Sequence, residues 1–310
     1  MIDYRNSPLS DVSDSFYEAD IVRYERPSEI EWEKLDRPGC RYRIIVQENQ
    51  SRLPLDMLFL PRESRDLLVG LHGAETSEAS LPKFQYVRSF ESSRQESLLF
   101  LSDPTPLLSR DRIHISWYVG DTHTDVSREY SSIVRDLLQR IALDNVTFVG
   151  HSAGATAAVK IASRVPGSLA VAVNGQYAAN LYPADLEHIR RNAFPECVTI
   201  EEMLGVYRDR FSLESALTEP ESDFRVIWFT HKDDGSSFGK WPNFPTLLAG
   251  MCRGSSNCIA VLCDWEYERS AHALPNSVIP FLQIALRETR LVGSSIAPVK
   301  QFAAVGEELL

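Results

Sequence analysis

A run that is apolar at every consecutive position can be buried as a strand only between two layers. Leu67-Leu68-Val69-Gly70-Leu71 is such a run. A strand sends successive side chains to opposite faces, so both of its faces need cover. Short apolar or β-branched runs recur at 42–47, 55–60, 66–71, 97–101, 113–118, 146–149, 169–173, 225–230 and 258–263. Longer amphipathic stretches separate several of them. Residues 125–143 place Val126, Ile133, Val134, Leu137, Leu138 and Ile141 on one helical face. Residues 153–164 are Ala-rich and stop before Pro166-Gly167, and 277–290 carry Val278, Phe281, Leu282, Ala285 and Leu286 at helical spacing. Strands alternating with helices predict an α/β fold with a mostly parallel central sheet flanked by helices.

Two regions depart from the alternation. Residues 1–41 are polar, acidic and punctuated by Pro8, Pro27, Pro38 and Gly39, and read as a peripheral extension with one short helix. Residues 175–224 hold helical pieces, 183–192 and 200–217, with no strand between them. Strand patterning resumes afterwards, so this is a helical, lid-like insertion within one domain spanning 42–290. Residues 291–310 read as a small, polar tail.

Composition excludes several classes. The chain of 310 residues is 44% apolar and 24% charged, an ordinary globular balance. Its net charge of −11 disfavours an extended basic face for nucleic acid. No run reaches the roughly 18–20 apolar residues that span a bilayer. The first residues show no basic stretch followed by an apolar segment, and the five cysteines lack paired C-x-x-C spacing. Reduced thiols and a cytoplasmic location are the expectation.

The junction between run 146–149 and the Ala-rich stretch reads Gly150-His151-Ser152-Ala153-Gly154. A serine between strand and helix sits on a tight turn that lifts its hydroxyl above the sheet. A Cβ at 150 or 154 would crowd the flanking strand and helix. The helix N-terminus favours negative charge developing nearby. Asp121-Thr122-His123-Thr124-Asp125 invites comparison with a metal site, but Thr124 or Asp125 is a good N-cap for the helix that follows, and no metal or cofactor is expected. Aromatics collect near strand ends: Trp117, Tyr118, Trp241, Trp265 and Tyr267. There they suit a sugar ring, an aryl group or an acyl chain, although core packing accounts for many such residues.

With this junction and this element order, the chain resembles the α/β-hydrolase superfamily from about residue 42 to 290. The resemblance implies a nucleophile, an acid and a histidine, in that order along the chain. Ser152 would be the nucleophile. His272, after the last strand and before the last helix, would be the base. Of the other histidines, His151 lies inside the elbow and would point away from the serine. His114 alternates with apolar residues in run 113–118, and His123 and His188 lie in loop or insertion segments. The acid belongs on the loop His231-Lys232-Asp233-Asp234-Gly235. The residues themselves leave Asp233 and Asp234 open, and the family's spacing favours Asp234. The oxyanion donors would be the backbone N–H groups of Ala153 and of Ala74, in the turn Leu71-His72-Gly73-Ala74, with His72 bracing that turn. The longer Gly-rich form of this turn, common in lipases and esterases, is absent.

These features imply a serine hydrolase acting on a small-molecule or glycan ester. An acyltransferase using the same triad on an alcohol acceptor, and a non-catalytic binding protein of this fold, are the alternatives. Ser116-Trp117-Tyr118-Val119-Gly120 and His231-Lys232-Asp233-Asp234 also resemble bacterial accessory proteins of surface-glycan synthesis that share this fold.

Overall fold

Successive residues of the all-apolar runs enter different cores. Val69, Phe148 and Trp228 join one cluster, while their neighbours Leu68, Val149 and Phe229 join another on the opposite face of the sheet. In the computed structural model, which describes residues 13–74, 81–109, 113–176, 179, 182–218, 223–235, 258–263 and 270–273, these runs are strands of one sheet. In chain order the strands are β1 (Ser13–Asp14), β2 (Ala19–Tyr24), β3 (Tyr42–Val46), β4 (Leu55–Leu60), β5 (Asp66–Leu71), β6 (Ser97–Leu101), β7 (Asn145–His151), β8 (Ser168–Val173), β9 (Phe224–His231) and β10 (Cys258–Cys263). The helices are α1 (Trp32–Leu35), α2 (Val87–Ser93), α3 (Val126–Arg140), α4 (Ala153–Ala162), α5 (Pro183–Ala193), α6 (Ile200–Val206), α7 (Arg208–Phe211) and α8 (Leu213–Thr218).

The spatial order is β1-β2-β3-β4-β6-β5-β7-β8-β9-β10. From β6 to β10 every neighbouring pair is parallel. Helices α3 and α4 close the first core, where Ile133, Val134, Ala157 and Ile161 meet the sheet. Phe90 of α2 packs into the second. Helix α3 starts where Asp125 accepts a hydrogen bond from the Arg128 N–H at 3.1 Å, a side-chain cap.

Registers position the site. Leu71 of β5 lies opposite Gly150 of β7, His151 opposite Val173 of β8, and Val173 opposite Phe229 of β9. His231 lies opposite Cys263 of β10. The segments that leave these strands therefore share the C-terminal edge of the parallel sheet, where such sheets bind ligands.

Three expectations differ from what forms. Run 113–118 is not a strand. Trp117 and Tyr118 have φ of 50° and 57°, and the Val119 N–H closes a turn onto the Ser116 carbonyl at 3.0 Å. Asp103 Oδ2 takes the Ser116 hydroxyl at 2.8 Å and the Tyr118 N–H at 2.7 Å, which is the hydrogen bonding a strand neighbour would have supplied. His114 is accordingly exposed on a loop. Residues 200–217 form three short helices, α6 to α8, instead of one. Within 13–41, β2 adds parallel to β3, and Ile30, Trp32 and Leu35 are buried in the first core. As an outer strand, β2 is half-exposed and polar, which hides its alternation. The helix expected at 277–290, the tail 291–310, Trp241, Trp265 and Tyr267 lie outside the described residues.

Candidate active site

The Gly150–Gly154 junction forms the sharpest bend at this edge. Ser152 has φ 56° and ψ −123°, and its N–H donates to the Val173 carbonyl at 3.0 Å. Helix α4 begins at the next residue. A Cβ on Gly150 would stand 2.1 Å from the Gly154 carbonyl oxygen, and one on Gly154 would stand 2.5 and 2.6 Å from the His72 and Leu71 oxygens. Strand, turn and helix approach too closely for a side chain at either position.

Ser152 Oγ lies 2.9 Å from His272 Nε2. On the other side of the ring, Nδ1 lies 3.0 and 3.1 Å from the two carboxylate oxygens of Asp234. An ionised carboxylate only accepts, so Nδ1 carries the proton and Nε2 is left to accept from the serine hydroxyl. Asp234 is fully buried and Asp233 is exposed. The turn separates them: the Asp234 N–H donates to the His231 carbonyl at 3.1 Å, and the Asp233 N–H donates to His231 Nδ1 at 3.0 Å.

The turn after β5 sits against the elbow. A Cβ on Gly73 would meet the His151 carbonyl oxygen at 3.1 Å and Ser152 Cβ at 3.4 Å. This turn is braced from several directions. His72 Nδ1 donates to the Gly73 carbonyl at 2.7 Å, and Nε2 accepts the Asp103 N–H at 2.8 Å, which sets the tautomer. The His72 N–H donates to the Tyr118 hydroxyl, and the Gly73 N–H to Gln85 Oε1, each at 3.0 Å. Lys83 Nζ donates to the Ala74 carbonyl at 3.1 Å. Ala74 thus follows a pinned glycine, and Ala153 is the first residue of α4, whose leading N–H groups have no partner within the helix.

The Asp121–Asp125 segment is local structure. Asp121 Oδ1 accepts the N–H groups of His123 and Thr124 at 2.9 and 2.8 Å, while Asp125 caps α3. Among the described residues no group of three His, Cys, Asp or Glu side chains is arranged to hold a metal ion. His188 lies in α5 of the insertion. Among the described residues no helix is long and apolar enough to cross a membrane.

The described part of 175–224 packs directly over the elbow. Ala153 shares a buried cluster with Trp117, Tyr182, Leu186, Met203 and Phe211. Trp117 is therefore enclosed, its indole N–H donating to Gln176 Oε1 at 2.5 Å, and Tyr118 lies behind His72. Two basic side chains fasten this layer. Lys160 of α4, fully buried, donates to the carbonyls of Trp117 at 2.8 Å and Arg210 at 2.5 Å. Burial pulls its pKa down to about 7. The Arg210 guanidinium reaches the Asp121 carbonyl at 2.5 Å.

Two residues at the site escape a reading by motif. The side chain of His151 reaches the His272 backbone, with Nε2 2.6 Å from that carbonyl oxygen. Burial, and then the neighbouring His272, pull its pKa down to about 4. Asn174, after β8, donates through Nδ2 to the carbonyls of Ala271 and His272, both at 3.1 Å. The only signal in the sequence is a polar residue at the end of an apolar strand.

No known family profile and no curated protein sequence matches the chain. Solved structures do. A 2,6-dihydroxy-pseudo-oxynicotine hydrolase superposes with a TM-score of 0.51 at 16% identity, covering 87% of this chain and 74% of that one. The Gap123 glycosylation-associated protein complex of Streptococcus agalactiae gives 0.53 at 12% identity, covering 80% of this chain and 46% of that one. A capsule O-acetyltransferase of Neisseria meningitidis serogroup A gives 0.50 at 12% identity, covering 77% and 91%. The chain has the α/β-hydrolase fold, with a mostly parallel sheet and flanking helices.

Proposed function

We propose that this chain is a serine hydrolase that cleaves a carboxylic ester through an acyl-serine intermediate. The observation that carries the reading is the unbroken line from Ser152 Oγ through the His272 ring to the buried carboxylate of Asp234. As His272 Nε2 takes the hydroxyl proton, Ser152 Oγ attacks the ester carbonyl and a tetrahedral oxyanion forms. Asp234 stabilises the imidazolium without taking its proton. The N–H groups of Ala153 and Ala74 are assigned to the oxyanion. Collapse breaks the ester C–O bond, and the alcohol leaves with the proton from His272. Water, deprotonated by the same ring, then attacks the acyl-serine. Expulsion of Ser152 Oγ, reprotonated by His272, restores the free enzyme and releases the acid.

Acyl transfer to a glycan hydroxyl is the second reading. It is supported by the likeness of the Trp117–Tyr118 and Asp233–Asp234 segments to surface-glycan accessory proteins, and by a capsule O-acetyltransferase among chains of the same fold. Its chemistry differs only in which oxygen attacks the acyl-serine. Residues 175–224 serve as the cover that selects the acyl or alcohol part, a reading supported by Tyr182, Leu186, Met203 and Phe211, which pack in one cluster with Trp117 and Ala153.

Labelling with a fluorophosphonate, followed by peptide mapping, tests the assignment. The expected result is a single adduct on Ser152 that Ser152→Ala abolishes. Undiminished labelling of Ser152→Ala, or no labelling of the wild type, defeats the reading. Product analysis with an aryl acetate, with and without an oligosaccharide acceptor, separates hydrolysis from transfer.

A further inference from the structure

The Asp234 carboxylate orients the His272 ring through Nδ1, but the ring can be no better placed than the backbone turn that carries it. We propose that Asn174 and His151 are positioning residues that set the His272 imidazole by gripping the backbone of its turn. This inference rests on the triad reading and deepens it. His151 Nε2 donates to the His272 carbonyl at 2.6 Å. Asn174 Nδ2 donates to the same oxygen and to the Ala271 carbonyl, both at 3.1 Å.

Asn174 also couples base to acid. Its Oδ1 accepts the His231 N–H at 2.9 Å, and the His231 carbonyl accepts the Asp234 N–H at 3.1 Å. One side chain thus ties the end of β9, from which Asp234 departs, to the turn that carries His272. Asn174 is fully buried and has φ 48°, a conformation that Asn tolerates better than most side chains. A glycine would fit this backbone more easily but would lack the amide.

His151 adds a second donor from the elbow itself. The glycine–serine turn requires small residues at 150 and 154, and it places no demand for an imidazole at 151. The two rings lie 4.9 Å apart, and burial keeps the His151 ring neutral near pH 7. A neutral donor holds the carbonyl without placing a second charge beside the imidazolium that forms on His272. A misplacement of about 1 Å in such a geometry is enough to cost on the order of 100-fold in rate.

The test uses Asn174→Gly, which keeps the backbone conformation and removes the amide, together with His151→Leu and His151→Gln. The first His151 change removes the donor, and the second keeps an amide N–H at similar reach. The readouts are the second-order rate of phosphonylation by a fluorophosphonate, kcat and KM for p-nitrophenyl acetate, and the melting temperature. Asn174→Gly and His151→Leu are expected to slow phosphonylation and lower kcat by about tenfold or more, with KM little changed. His151→Gln is expected to recover most of the loss. Wild-type rates in Asn174→Gly and His151→Leu overturn the positioning role. So does an equal loss in His151→Gln and His151→Leu that follows a lowered melting temperature. A wild type that resists the probe instead overturns the triad reading itself, so the two failures are distinguishable.

Discussion

Replacing Lys160 by methionine should change how stability depends on pH. In the folded chain the amine is sealed inside, with two carbonyl oxygens as hydrogen-bond partners. Burial first, then the opposing fields of Asp125 and Arg164, bring its pKa from 10.5 to about 7. A neutral amine has two N–H groups, which matches the two carbonyls. Between about pH 7 and 10.5 the unfolded chain holds a proton at this position that the folded chain has lost. Stability therefore rises with pH in that window, by up to about 1.4 kcal/mol per unit. From pH 7 to 9 the gain is about 2 kcal/mol, allowing for half-protonation at the lower end. A thioether does not titrate, so Lys160→Met should lack this gain. The substitution should also leave the Trp117 and Arg210 carbonyls unsatisfied, at about 1–3 kcal/mol each. Urea unfolding at pH 7, 8 and 9, followed by tryptophan fluorescence, measures both proteins. Groups that titrate identically in both cancel in the difference. The wild-type advantage should widen by about 2 kcal/mol from pH 7 to 9. Parallel pH profiles would refute the buried neutral amine.

Asp234→Asn should lower kcat on the order of 10⁴-fold, while Asp233→Asn, on the solvent side of the turn, should leave turnover of an aryl acetate near wild type. The reverse ranking would move the acid one residue back. Gly154→Ala sets a Cβ 2.5 and 2.6 Å from two backbone oxygens, so it should destabilise by about 3 kcal/mol or prevent folding; a melting temperature equal to wild type would contradict the packing described. Tyr207→Ala, on the partly exposed side of the insertion, should shift the preference between acetate and longer acyl esters with only a modest loss of stability, and an unchanged ranking would argue against a selecting cover.

The parallel half of the sheet is legible in the sequence because its strands are buried on both faces, and such strands are apolar at nearly every position. The outer strand β2, covered on one side only by the two-residue β1, is not, since it is half-wet and polar. Run 113–118 misleads for a different reason. Ile113 and Trp117 are buried because they pack under the insertion and beside α4, and burial of that kind leaves the same apolar signature as a strand. At the site, Asp233 and Asp234 are equivalent in composition. What distinguishes them is the two N–H bonds to His231, which roll one carboxylate inward and leave the other in water. Asn174 and His151 act through backbone carbonyls remote in sequence, and no local spacing announces such a contact.

The distance along the chain between Ser152 and His272 has a consequence for the protein as it is made. Ser152 precedes His272 by 120 residues. At a synthesis rate of about 5–20 residues per second, the serine emerges on the order of ten seconds before the ring that would activate it. The strands β5, β7 and β8, which frame the elbow, are all complete before β9 and β10 exist. On the proposed triad, a ribosome-bound chain can therefore hold a formed elbow that is chemically silent, because its hydroxyl has no base. Completion of the sheet, and the arrival of the turn that Asn174 and His151 grip, would be the event that switches it on.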